Sequence, residues 1–95
     1  MAAYLVARIR VSDPVKWEQY RAAVPAVIAR HGGRYIVRGA DATPLEGAHD
    51  TRRQVIIEFP TTEAATGFWH SADYAAVKKL REGAAELEAV LLPGV

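Results

Sequence analysis

Ninety-five residues, 51% of them apolar and 24% charged, describe one small globular domain over residues 1–95 that gains from pairing with a second copy. Twelve basic against eleven acidic residues leave a net charge of +1, too little to point to a nucleic-acid partner. With no cysteine there are no disulfides and no thiolate chemistry, which predicts a cytoplasmic setting, and no run approaches the ~20 apolar residues of a membrane span.

Ala3 to Val11 alternates: Ala3, Leu5, Ala7, Ile9 and Val11 share one face, Tyr4, Val6, Arg8 and Arg10 the other. That is a strand rather than the continuous apolar core of a signal peptide. Asp13 and Pro14 open a helix, the first as a cap and the second at the first helical position. Trp17, Tyr20, Val24, Val27, Ile28 and His31 recur at three- and four-residue steps and form its apolar stripe. Pro25 lies inside this helix, where it removes one hydrogen bond and predicts a kink near Arg21. Gly32 and Gly33 end the helix, and a second strand follows from Arg34 to about Thr43.

After the turn-rich "PLEGAHD", Arg52 to Phe59 reads as a third strand, stopped by Pro60. Thr61 or Thr62 caps a short helix reaching Trp69. Ser71 or Asp73 caps another, with Tyr74, Val77, Leu80, Ala84 and Leu87 on its buried side and Gly83 weakening its end. Leu87 to Leu92 reads as a last strand. The order β-α-β-β-α-β predicts an α+β, ferredoxin-like domain: a four-stranded antiparallel sheet with its helices on one face and its first and third strands central.

Leu5, Ala7, Ile9, Val55, Ile57 and Phe59, and by parity Tyr35 and Val37, are expected to face the helices. The opposite face carries Tyr4, Val6, Arg8, Arg34, Ile36, Arg38, Gln54, Ile56 and Glu58. This mixture is too apolar to stay wet and predicts a second copy packed sheet to sheet, with a lined cavity. A hairpin turning near Ala48 would set Arg38 opposite or diagonal to Glu58, with Arg8 beside them. The three would then form a clamp for a small polar or anionic molecule, or, in the structural reading, ion pairs at a dimer seam. Tyr4 belongs to the same expected ligand face. Trp69, in the cluster "GFWHSADY", is a candidate apolar wall, and His31, at a helix C-terminus, is the candidate proton carrier. The three histidines lack ligand spacing, so no metal is expected. Neither GxGxxG nor GxxxxGK[ST] is present, and no cofactor is expected.

Several of these segments resemble domain of unknown function family 1330 (DUF1330) of the dimeric α/β-barrel superfamily. They are Tyr20, Arg21 and Pro25; His31, Gly32 and Gly33 with Arg38; "EFP" at Glu58, Phe59 and Pro60; and Ser71 with Tyr74. The resemblance runs over nearly the whole chain, with one small departure at Ala40, where the family often has glycine. It implies a ferredoxin-like protomer that packs its sheet on its twin, and it implies no activity. Cofactor-independent monooxygenases and haem-degrading enzymes of the same barrel resemble one another in an Asn, Trp and His set, and this chain has no asparagine. Two function classes stand: a homodimer that binds or transforms a small organic molecule, and a non-catalytic interaction protein. RNA binding is not expected, because Gln54 and Ile56 occupy positions where RNA-recognition motifs carry stacking aromatics.

Overall fold

The computed structural model describes residues 1–95 as β1 (Ala3–Val11), α1 (Pro14–Arg30), β2 (Arg34–Asp41), β3 (Arg53–Phe59), α2 (Thr62–Trp69), α3 (Ala72–Lys78), a 3-10 turn (Lys79–Arg81) and β4 (Ala85–Pro93). The strands lie in the order β2-β3-β1-β4 and every pairing is antiparallel, so the sheet is the expected ferredoxin-like one with β1 and β3 in the centre.

Alternation holds along the two central strands. Leu5, Ala7, Ile9, Ile57 and Phe59 are buried against Trp17, Tyr20, Val24, Val27 and Ile28 of α1 and against Phe68 and Tyr74 of the shorter helices. Each large apolar side chain removed from water in this way contributes roughly 1.5–3 kcal/mol. β4 alternates too, with Leu87, Ala89 and Leu91 paired to Ile9, Ala7 and Leu5 on the helix side and Glu86, Glu88, Val90 and Leu92 on the other.

Each helix starts on a side-chain cap. Asp13 accepts from the Lys16 amide at 3.1 Å, Thr61 from Ala64 at 3.0 Å and Ser71 from Tyr74 at 3.1 Å. α1 ends in a Schellman turn: the Gly32 amide donates to Ala29 O and the Gly33 amide to Ile28 O, both at 3.0 Å, with Gly32 at φ 80°. Gly33 serves a different need. A Cβ there would sit 2.6 Å from Phe59 Cε1 and 2.8 Å from Ile28 Cγ2, so its bare backbone lets the chain cross the core.

Three expectations need correction. The third helical segment does not reach Leu87: the 3-10 turn ends at Arg81, Gly83 takes φ 73°, and β4 begins at Ala85. Gly83 therefore ends the segment rather than weakening it, and Leu87 is partly buried, from a strand. β2 also stops earlier, at Asp41 rather than about Thr43. More consequentially, β2 breaks parity. Its register against β3 slips once between Tyr35 and Val37 and again between Arg38 and Ala40, the second time around Gly39 at φ 76°. Val37 consequently pairs with Ile56 and lies on the open face, while Arg38 pairs with Val55 and lies on the helix face. Both are the reverse of simple alternation.

The C-terminus of α1 is tied to the N-terminus of α3. His31 Nε2 stands 3.3 Å from Asp73 Oδ1, and Arg30 Nη2 3.3 Å from Asp73 Oδ2. Hydrogen bonding from Ser71 foremost, with His31 and Arg30 adding to it, outweighs partial desolvation and holds the Asp73 carboxyl well below the usual carboxylate range.

Two outcomes follow from these packing and charge arrangements. Gly33→Ala should destabilise the fold by about 1–3 kcal/mol, read by urea denaturation, because Phe59 and Ile28 must yield to the added methyl. Asp73 gains its charge more easily folded than unfolded, so its contribution is complete above the ordinary value of 3.8 and fades as pH falls below it. Wild type should exceed Asp73→Asn in stability at neutral pH, with the gap closing on acidification below 3.8.

Candidate functional site

A cleft of about 90 Å³ lies between the sheet and the helices. Val24 and Ile28 of α1, Val55 and Ile57 of β3, and Phe68 and Trp69 of α2 are among the apolar residues of its wall. Three arginines join them, Arg21 from α1, Arg38 from β2 and Arg53 from β3, and all three are exposed, which places them at the mouth. No carboxylate lines the cleft. An apolar interior under a basic rim suits a small molecule with an apolar body and an anionic end.

Arg38 owes its position to two separate defects in regular structure. The register slips of β2 turn it toward α1. There, Pro25 has no amide hydrogen, so the Arg21 carbonyl four residues earlier loses its helical donor. Arg38 Nη2 fills that place, donating to Arg21 O at 3.2 Å. Its guanidinium also lies over the Tyr35 ring, 4.8 Å from the centroid. Burial raises the Tyr35 hydroxyl above its ordinary value, and the nearby Arg38 pulls partly the other way. Arg38 thus has a neutral acceptor and an aromatic face, and no carboxylate partner. Arg21, by contrast, is paired with Glu18 at 3.6 Å.

Deeper in the cleft, Tyr20 and Tyr74 are 8% and 1% exposed, and their hydroxyls lie 3.0 Å apart. Arg81 Nη2 donates to the Tyr74 hydroxyl at 3.4 Å, and its guanidinium stands 5.5 Å from the centre of the Tyr20 ring. Burial foremost, with Tyr74 adding to it, pushes Tyr20 well above the ordinary phenol value, so it stays protonated at any physiological pH.

The six residues singled out from sequence fall in three places. Arg38 and Trp69 line the cleft. His31 does not; it faces Asp73 and meets the Phe68 ring edge-on at 5.8 Å, beside the cleft wall. Arg8, Glu58 and Tyr4 are on the opposite face of the sheet. There the expected clamp is absent, because register separates its members. Glu58 pairs across strands with Tyr4 and Arg34, while Arg8 pairs with Gln54 and Glu88, two rows away. Arg34 Nε donates to Glu58 at 2.8 Å and, with the Tyr4 hydroxyl helping, holds that carboxyl below its ordinary range. Arg8 instead stands 3.6 Å from Asp50, which Arg52 grips at 3.0 Å while also reaching Glu88 at 2.9 Å.

Between these two charged ends runs an apolar row, Val37–Ile56–Val6–Val90, extended by Leu92 and by Ile36, which is 46% exposed. A second groove, of about 190 Å³, lies between α2 and β4 and shares Leu5 and Trp69 with the cleft.

Sequence reasoning passed over Arg53 and the Tyr20–Tyr74 pair. A signal for Arg53 was available: it shares parity with Val55, Ile57 and Phe59, so a charge stands on the core side of a strand. The tyrosines had none, since a buried stripe reads the same whether or not two hydroxyls meet.

RPA0582, a protein of unknown function from Rhodopseudomonas palustris, is similar at a TM-score of 0.72 and 19% identity, over 99% of this chain and 82% of that one. SnoaB, described as a cofactor-independent oxygenase from Streptomyces nogalater, gives 0.70 and 18% over 99% and 93%. A dimeric ferredoxin-like protein of unknown function from Thermobifida fusca gives 0.67 and 17% over 99% and 92%. At these identities the likeness is one of fold. No curated protein matches the chain. The family model described as "Domain of unknown function (DUF1330)" matches residues 2–95, and the chain belongs to that family.

Proposed function

We propose that the protein is a homodimer joined through its open sheet faces, in which each protomer holds a small organic anion in the cleft between sheet and helices. The observation that carries this reading is Arg38. It is aimed at the cleft mouth by the Arg21 carbonyl and the Tyr35 ring, yet lacks any carboxylate to neutralise it. A guanidinium so placed is ready to take a ligand carboxylate in two hydrogen bonds, while Trp69, Phe68 and Ile28 receive the apolar remainder. SnoaB's description as a cofactor-independent oxygenase supports a reading in which side chains of this fold hold an organic molecule unaided.

The open face supports pairing with a twin. Its apolar row would be covered by the same row of a second copy, and the ion-pair clusters at either end would fix the register. Arg8, Glu58 and Tyr4 take that part in this reading rather than binding ligand. His31, occupied by Asp73 outside the cleft, is given no proton-transfer role.

NMR titration with pentanoate tests the anion site: wild type should bind it, and Arg38→Ala should weaken binding about tenfold or more, the loss of a charge-assisted contact. Unchanged affinity in that variant would sink the site. Sedimentation at micromolar concentration tests the assembly, with wild type expected as a dimer and Ile56→Glu as a monomer. A monomeric wild type would remove the sheet-to-sheet arrangement.

A further inference from the structure

The floor of the cleft holds a hydroxyl hydrogen that the protein does not accept. Tyr20 and Tyr74 together carry two such hydrogens, and their mutual bond uses one. Whichever tyrosine donates, the hydrogen on the other needs an acceptor. The only further hydrogen-bond partner of the two hydroxyls is Arg81, whose guanidinium has donors and no lone pair to offer. Arg81 Nε is itself buried without a partner, which leaves this corner rich in donors and short of acceptors. Both tyrosines line the cleft.

A buried donor left unpaired in apolar surroundings is costly, and so is recovered by whatever acceptor enters. A lone water would find few other polar partners among these aliphatic and aromatic walls, and ordered buried waters ordinarily need two to four. An oxygen carried on a ligand needs none. Burial keeps the Tyr20 hydroxyl protonated throughout the physiological range, so it acts by hydrogen bonding rather than by proton transfer.

We infer that the Tyr20–Tyr74 pair recognises a carbonyl or similar acceptor oxygen on the ligand's buried end, so that the cleft takes organic acids bearing a second oxygen, such as keto acids. The inference rests on the reading of Arg38 as the anion site, since it supplies the other end of the same molecule.

NMR titrations with 4-oxopentanoate, pentanoate and the uncharged pentan-2-one separate the two ideas. Wild type should bind 4-oxopentanoate roughly three- to tenfold more tightly than pentanoate, the range of one neutral hydrogen bond. The double substitution Tyr20→Phe with Tyr74→Phe keeps both rings and removes both hydroxyl hydrogens, and should bind the two acids alike. Equal affinity of the acids for wild type, or a preference that survives the double substitution, overturns the inference. The anion reading stands in either case if both acids still weaken in Arg38→Ala. Binding of pentan-2-one that needs the hydroxyls, with no binding of the acids, keeps the tyrosine role and overturns the anion site. Failure of all three probes overturns both. Should the double variant not fold, the comparison of the two acids on wild type decides alone.

Discussion

A missing hydrogen organises this protein's cleft. Pro25 cannot donate to the carbonyl of Arg21, and an unfilled carbonyl in a helix wall invites a donor from outside. Arg38 answers from the neighbouring strand at 3.2 Å, which it reaches only because β2 slips register twice. Helix and edge strand are thereby joined across the opening by a cation. Neither irregularity is informative alone: a proline in a helix reads as a cost, and a bulge as a local accident. Together they set one charged group, with no counter-charge, at the rim of an apolar cavity.

The two faces of the sheet divide the work. Facing the helices, long apolar side chains from β1, β3 and β4 make a core that stops short of filling the space beneath α1, which leaves the cleft. On the other face an apolar row lies between two rows that carry charges. Arg34–Glu58 lies at one end and Arg8, Asp50, Arg52 and Glu88 at the other, with valines and isoleucines between them. Exposed pairs of this kind contribute little stability on their own, with ~0–1 kcal/mol typical. The charged residues that draw the eye in the sequence are therefore mostly on the face away from the cleft.

Much of the fold was legible because it depends on local periodicity. The strict alternation of Leu5, Ala7 and Ile9, the stripe from Trp17 to Ile28, the cap at Asp13, the caps narrowed to Thr61 or Thr62 and to Ser71 or Asp73, and the stop at Gly32 each follow from short-range chemistry. The site was less legible, because it depends on where periodicity fails. A bulge adds one residue and inverts every position beyond it, so parity carried through Ile36 assigned Arg38 and Val37 to the wrong faces. Gly39 was visible in the sequence, though its conformational freedom could as easily have served a turn. The pairing of Glu58 with Arg34 rather than with Arg38 comes from the two slips together with a hairpin centred one residue before Ala48. The meeting of Tyr20 with Tyr74, fifty-four residues apart, has no local signature at all.

The irregular course of β2 has a further consequence, because β2 is an outer strand of the sheet. A flat, unbroken border exposes a ladder of unpaired amides and carbonyls that can recruit strands from other molecules and begin uncontrolled aggregation. Two interruptions within eight residues spoil that template. The contour that presents Arg38 to the cavity thus also discourages edgewise growth of the sheet at β2.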